Sequence, residues 1–162
     1  MMDNAASTQE AVSPVEPQTP FRRILVPVDG SEASIEASRT AVRVAAVHQL
    51  PVTALYVVDD TIVTELTAVS GQPQGAVRRQ LEAKGWRYLE HIAEIANECG
   101  VSCERVMRRG MSHIQIANLV RELDIDLVVI GETRLPNARR AFSGSLTERV
   151  IDYVSCSVLV IR

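Results

Sequence analysis

Apolar positions along this chain fall into short unbroken runs, separated by longer stretches in which they recur at helical spacing. Arg23-Ile-Leu-Val-Pro-Val28 is the first run and reads as a strand, ending at Asp29-Gly30-Ser31, a turn followed by a helix cap. Glu32 to His48 then places Ala33, Ile35, Ala37, Ala41, Val44 and Ala45 on a mostly apolar, alanine-rich helix. Val52 to Val58 is a second strand, closed by Asp59-Asp60. Thr61 to Gly75 predicts a short helix and then a Gly/Pro loop. Ala76 to Cys99 predicts a long amphipathic helix with Leu81, Leu89, Ile92 and Ile95 inward, stopped by Gly100. The polar residues in Val101–Met107 suggest a third strand at a sheet edge. Gly110 and Ser112 open a helix through Ile114, Ile116, Ala117, Leu119 and Val120 to about Leu123. Asp126–Ile130 is a fourth strand, Gly144–Val154 a last helix and Ser157–Ile161 a fifth strand.

Strands alternating with helices predict an α/β fold: a five-stranded parallel sheet with helices on both faces, joined by right-handed crossovers. The runs Ile24–Val28 and Leu127–Ile130 are apolar throughout, which suits strands covered on both faces at the middle of such a sheet. Ligands of this architecture lie beyond the carboxyl ends of the strands, where the strand order reverses. Asp29, Val58, Gly110, Gly131 and Gly144 should all lie near that edge. Met1–Pro20 is rich in Ala, Ser, Thr, Gln and Pro, so it is expected to be a disordered tail before a domain over 21–162.

Composition narrows the function. A length of 162 residues favours one domain. A net charge of −3 argues against the basic field that nucleic-acid binding needs, and 4% aromatic content against a base-stacking platform. No apolar stretch is long enough to span a bilayer, so no membrane partner is expected. The first twenty residues lack the charge and apolar core of a signal peptide. With three cysteines, an odd number with no dense spacing, this predicts a reduced, cytoplasmic protein.

The candidate chemistry lies in Gly131-Glu132-Thr133-Arg134 and Gly144-Ser145-Leu146-Thr147, between the fourth strand and the last helix. Helix starts leave backbone N–H groups unpaired and carry partial positive charge, and glycine lets an oxygen approach the main chain; together they suit a phosphate. The dinucleotide pattern G-x-G-x-x-G and the Walker pattern G-x-x-x-x-G-K-[ST] are both absent. Each piece also has a plainer use. Asp29 reads equally as a turn or cap residue, Ser145 as a helix cap, and single glycines as tight turns. Arg108, Arg109, Arg134, Arg139 and Arg140 would ring a phosphate or form a solvated loop face. Catalytic candidates are poorer. Cys99-x3-Cys103 with Cys156 does not match a zinc site, His48, His91 and His113 have no assigned carboxylate, and Ser145 lacks the nucleophile elbow.

Taken in order, Ile24-Leu-Val-Pro-Val-Asp-Gly-Ser31, Leu55-Tyr-Val-Val58, Arg109-Gly110, Leu127-Val-Val-Ile-Gly131, Gly144-Ser-Leu-Thr-Glu-Arg-Val150 and Cys156-Ser-Val-Leu-Val-Ile161 form a series. It resembles the universal stress protein family over Phe21–Arg162. The resemblance implies a Rossmann-like fold of the adenine nucleotide alpha hydrolase type, strand order 3-2-1-4-5, and a cofactor that is ATP or another adenine nucleotide, with Mg2+ as an optional companion. It implies that Pro27, Val28 and Asp29 border the adenosine, with the Asp29 carboxylate on the ribose or base. Val58 would meet the adenine edge through its backbone, with Gly110 and Ile130 at the neighbouring strand ends. Gly131 would lie under the ribose and phosphates, and Gly144, Ser145, Leu146 and Thr147 would hold phosphate oxygens. The family pattern is G-x2-G-x9-G-[ST], and Arg134 stands here in place of its second glycine; the guanidinium is expected to reach the phosphates. The implied function is nucleotide binding as a regulatory signal in stress response, by a homodimer joined through Ser157–Ile161 that meets an unidentified protein partner. The alternatives are a nucleotide-independent dimeric interaction module and, at most, a slow ATPase.

Overall fold

Residues 19–132 and 145–162 are described by a computed structural model, in which five strands are joined by five helices, two of them in succession between the second and third strands. Most of the expected tail, and Arg134, Pro136, Arg139, Arg140 and Gly144, lie outside the described residues. β1 (Ile24–Pro27) is followed by α1 (Glu32–His48), β2 (Val52–Asp59), α2 (Asp60–Ser70) and α3 (Gln74–Glu98). Then come β3 (Cys103–Gly110), α4 (Ser112–Glu122), β4 (Leu127–Gly131), α5 (Leu146–Tyr153) and β5 (Ser157–Ile161). All pairings are parallel and the order is β3-β2-β1-β4-β5, so the fold is the one the pattern and the resemblance imply.

The two middle strands are apolar because both faces are covered. Ile24, Val26 and Val28 pack with α1 and α3, and Leu25, between them, packs with α4 and α5. Local chemistry sets α1: Ser31 caps it by accepting from Ser34 N at 3.1 Å, Glu32 lies in the first turn, and Gln49 closes it in the left-handed conformation at φ 54°. A cap of that kind stabilises by about 1 kcal/mol. Asp126 ties the chain before β1 to the start of β4, accepting from Arg22 N and Arg23 N at 2.9–3.0 Å.

Two details differ from the sequence pattern. β3 runs Cys103–Gly110 rather than Val101–Met107, since its register follows all eight residues of β2, from Val52↔Cys103 to Asp59↔Gly110. Its polar C-terminal half is tolerated because β3 is an edge, where side chains reach water. On α1, the buried face is Ser34, Ala37, Ser38, Ala41, Val42 and Ala45, with Ile35 and Val44 only partly buried. Two serines are buried there without loss, because Ser38 Oγ donates to Ser34 O at 2.8 Å and Ser34 Oγ to Ser31 O at 3.0 Å. Their small size lets the start of α1 approach β4 closely. A Cβ on Gly131 would strike the backbone of Ala33 and come within 2.8 Å of Ser34 N.

Candidate ligand site

At the carboxyl edge of the sheet, on the side covered by α4 and α5, lies a cleft with about 630 Å³ of empty space, its open mouth included. Its floor and back are apolar: Pro27 at the end of β1, Leu55 and Val57 on β2, Ile116 on α4 and Ile130 on β4. Polar groups complete the lining. Asp29 and Ser34 come from the β1–α1 corner, Ser112 from the start of α4, and Ser145 and Thr147 from the start of α5.

Of the residues expected at a ligand, Pro27, Val28, Asp29, Ile130, Gly131, Ser145, Leu146 and Thr147 line this cleft together. Val58 and Gly110 do not. The side chain of Val58 is fully buried on the opposite face of the sheet, among the residues under α1 and α3. Its neighbour Val57 faces the cleft instead, because successive side chains of a strand point to opposite faces. Gly110 serves the turn into α4, at φ 126°, where a Cβ would meet Gln115 Nε2 at 2.9 Å. Arg134 and Gly144 lie outside the described residues. Ser34, Leu55, Val57, Ser112 and Ile116 are the lining residues that the motifs missed. The period of two along β2, counted from the cleft-facing Leu55, would have pointed to Val57.

Several of these groups already have partners within the chain. Asp29 Oδ1 accepts from Ser31 N at 2.8 Å, which makes it a turn residue, yet the residue remains exposed at the rim. Ser145 caps α5 in a reciprocal box: its Oγ accepts from Glu148 N at 3.2 Å, and its own N donates to Glu148 Oε2 at 2.9 Å. Asp59, at the end of β2, accepts from Thr61 N at 2.9 Å through Oδ1. Its Oδ2 accepts from Ser112 N at 2.8 Å and from Ser112 Oγ at 2.6 Å. Burial pushes the Asp59 pKa up, but the hydrogen bonds from Ser112 and Thr61 outweigh it, and the carboxyl lies below its ordinary range.

Arg108 pairs with Glu122 at 2.7 Å and Arg109 with Glu82 at 2.6 Å, so these two arginines of β3 are held at the sheet edge, away from the cleft wall. His113 packs edge-on against Tyr153, with ring centroids 5.0 Å apart. Cys103 and Cys156 are half-buried, and burial raises both thiols, which favours the unreactive protonated form. Among the described residues, no helix is long and apolar enough to cross a membrane.

A model of the universal stress protein family matches residues 20–162. The universal stress protein MJ0531 of Methanocaldococcus jannaschii is 31% identical, over 88% of this chain and 82% of its own. Among solved structures, universal stress protein UspA of Lactobacillus plantarum superposes with a TM-score of 0.65 at 31% identity, covering 88% of this chain and 98% of that one. The universal stress protein of Archaeoglobus fulgidus in complex with dAMP shares the fold, with a TM-score of 0.62 at 21% identity over 88% and 98% of the two chains.

Proposed function

This chain belongs to the universal stress protein family, and we propose that it binds an adenine nucleotide in the cleft at the carboxyl edge and uses the bound state as a regulatory signal. The observation that carries this reading is the cleft itself. An apolar slot between Leu55, Val57, Ile116 and Ile130 suits a flat base, with the Asp29 carboxylate and the start of α5 at its rim. The dAMP held by the Archaeoglobus fulgidus fold neighbour supports the same ligand class. The start of α5, through Ser145, Leu146 and Thr147 and with Gly144 before them, would receive phosphate oxygens by N–H and hydroxyl groups. Nothing in this scheme calls for an active-site base, and the protein is read as a binder rather than an enzyme.

Calorimetry with AMP, ADP and ATP, each with and without Mg2+, tests the reading. Saturable binding is expected, and Gly144→Val should weaken it tenfold or more, the cost of about one charge-assisted hydrogen bond. Absence of saturation at millimolar nucleotide would overturn the proposal. Arg134 decides the preference among these ligands. Arg134→Ala should weaken ATP more than adenosine, with the gap shrinking at high salt.

A homodimer through β5 completes the proposal. At the other sheet edge, Arg105, Arg108 and Arg109 of β3 pair with Glu90, Glu122 and Glu82 and guard the strand with charge. β5 carries no charged residue, and Leu159 is 38% exposed on it. Two such edges related by a two-fold axis would satisfy each other's backbone groups. Light scattering should return a dimer for the native chain and a monomer for Leu159→Lys. A monomeric native chain at micromolar concentration would contradict it.

A further inference from the structure

We propose that Ser112, held by Asp59, selects a purine bearing an amino group at position 6 over one bearing an oxo group there. The inference rests on the adenine-nucleotide reading and assigns the base specificity of the same cleft to a residue outside the family motifs. Ser112 lines the cleft at the start of α4, and its hydroxyl oxygen lies 2.6 Å from Asp59 Oδ2. A hydroxyl has one hydrogen and two lone pairs, whereas an ionised carboxylate has no hydrogen to give. In that pair Ser112 must therefore be the donor. The bond is short, as charge-assisted O–H···O bonds are, so turning the hydroxyl hydrogen elsewhere would give up the strongest kind of partner it has, while Ser112 N holds the same oxygen in place at 2.8 Å. The depressed pKa of Asp59 keeps the carboxylate ionised at neutral pH.

With its hydrogen committed, Ser112 offers the cleft only a lone pair. A 6-amino group donates an N–H to that lone pair. A 6-oxo group would set oxygen against oxygen and lose a bond it had made with water. Among the described residues, the side chains beside it on the same elements, Ile116, one turn on along α4, and Leu55 and Val57, on the strand that ends at Asp59, are apolar and offer no competing side-chain partner. Ser112 is half-buried, and a site that commits a polar group to one hydrogen-bond sense discriminates better than one that only measures shape.

The test measures AMP, IMP and purine riboside monophosphate, which has only hydrogen at position 6, by calorimetry on the native chain, Ser112→Ala and Ser112→Thr. The native chain should prefer AMP over IMP by about tenfold or more. Ser112→Ala should lose about tenfold for AMP, bring the AMP-to-IMP ratio close to one, and leave purine riboside monophosphate unchanged. Ser112→Thr keeps the hydroxyl and should keep the ratio, and melting curves verify that both variants fold. If AMP binds and Ser112→Ala preserves the ratio, the assignment to Ser112 is wrong while nucleotide binding stands. If the native chain binds none of the three, the adenine-nucleotide reading itself falls, and the selectivity with it.

Discussion

The starts of α4 and α5 both border the cleft, and they are capped in opposite ways. α5 caps itself: Ser145 and Glu148 exchange side chain and backbone bonds three residues apart, at 2.9 and 3.2 Å. α4 has no such device, since the residue before it is Met111, which makes no side-chain cap. Its first N–H is satisfied by Asp59, 53 residues earlier, from the end of another strand. The β2–β3 register, which sets Asp59 against Gly110, brings the two together. A local cap survives whatever the sheet does. A cap lent by a neighbouring strand exists only in the assembled fold, and it fixes the hydrogen-bond sense of a side chain facing the cleft. The two helix starts therefore differ in what they report: α5 its own sequence, α4 the closure of the sheet edge.

The contrast predicts unequal costs. Asp59→Ala removes the bond to Thr61 and both bonds to Ser112, and should cost about 2–3 kcal/mol in urea unfolding. A cost no greater than that of Ser145→Ala would break the comparison. The Asp59 contribution should also depend on pH. A carboxyl whose pKa is lowered in the folded state adds stability above the unfolded value, and that stability is lost as pH falls through the folded one. The gap between the native chain and Asp59→Asn, steady at neutral pH, should narrow below about pH 4. Unfolding curves collected across that range measure it. Ser145→Ala removes only a local cap and should cost about 1 kcal/mol, read from the same unfolding experiment. Glu148→Gln can still reach Ser145 N, so a change of only about 0.3 kcal/mol is expected. A large loss there would mean that the charge of Glu148, rather than its hydrogen bond, holds the start of α5.

The same division runs through the rest of the molecule. The bounds of α1 and β5 could be read directly, because Ser31 and Glu32 announce a helix start and Val158–Ile161, just after Ser157, is an uninterrupted apolar run. The capping box at Ser145 could be read as well, being a pattern of four adjacent residues. The length of β3 could not, because an edge strand takes its extent from the neighbour it pairs with. Ser34 and Ser38 gave no sign of burial, since their hydroxyls are satisfied by carbonyls one turn back, an arrangement that composition does not register. In the cleft, Asp29, Gly131 and the residues of the α5 start were legible as motifs, whereas the cleft-facing side chain of Val57 was not singled out.

What local order decides in this chain is the set of elements and their alternation, because hydrophobic period and capping chemistry act over a few residues. The alternation in turn leads to a parallel sheet, since right-handed crossovers leave little else. What only the assembled fold decides is which partner completes a group. Asp59 meets Ser112 because β2 and β3 lie side by side. Gly131 is needed as glycine because α1 crosses β4 closely enough that a Cβ would strike the Ala33 backbone. Val57 rather than Val58 faces the cleft because the sheet has two sides and only one of them carries α4 and α5. Each of these depends on atoms brought together from distant parts of the chain, and a hydrogen bond or a clash is a property of that meeting rather than of either residue alone.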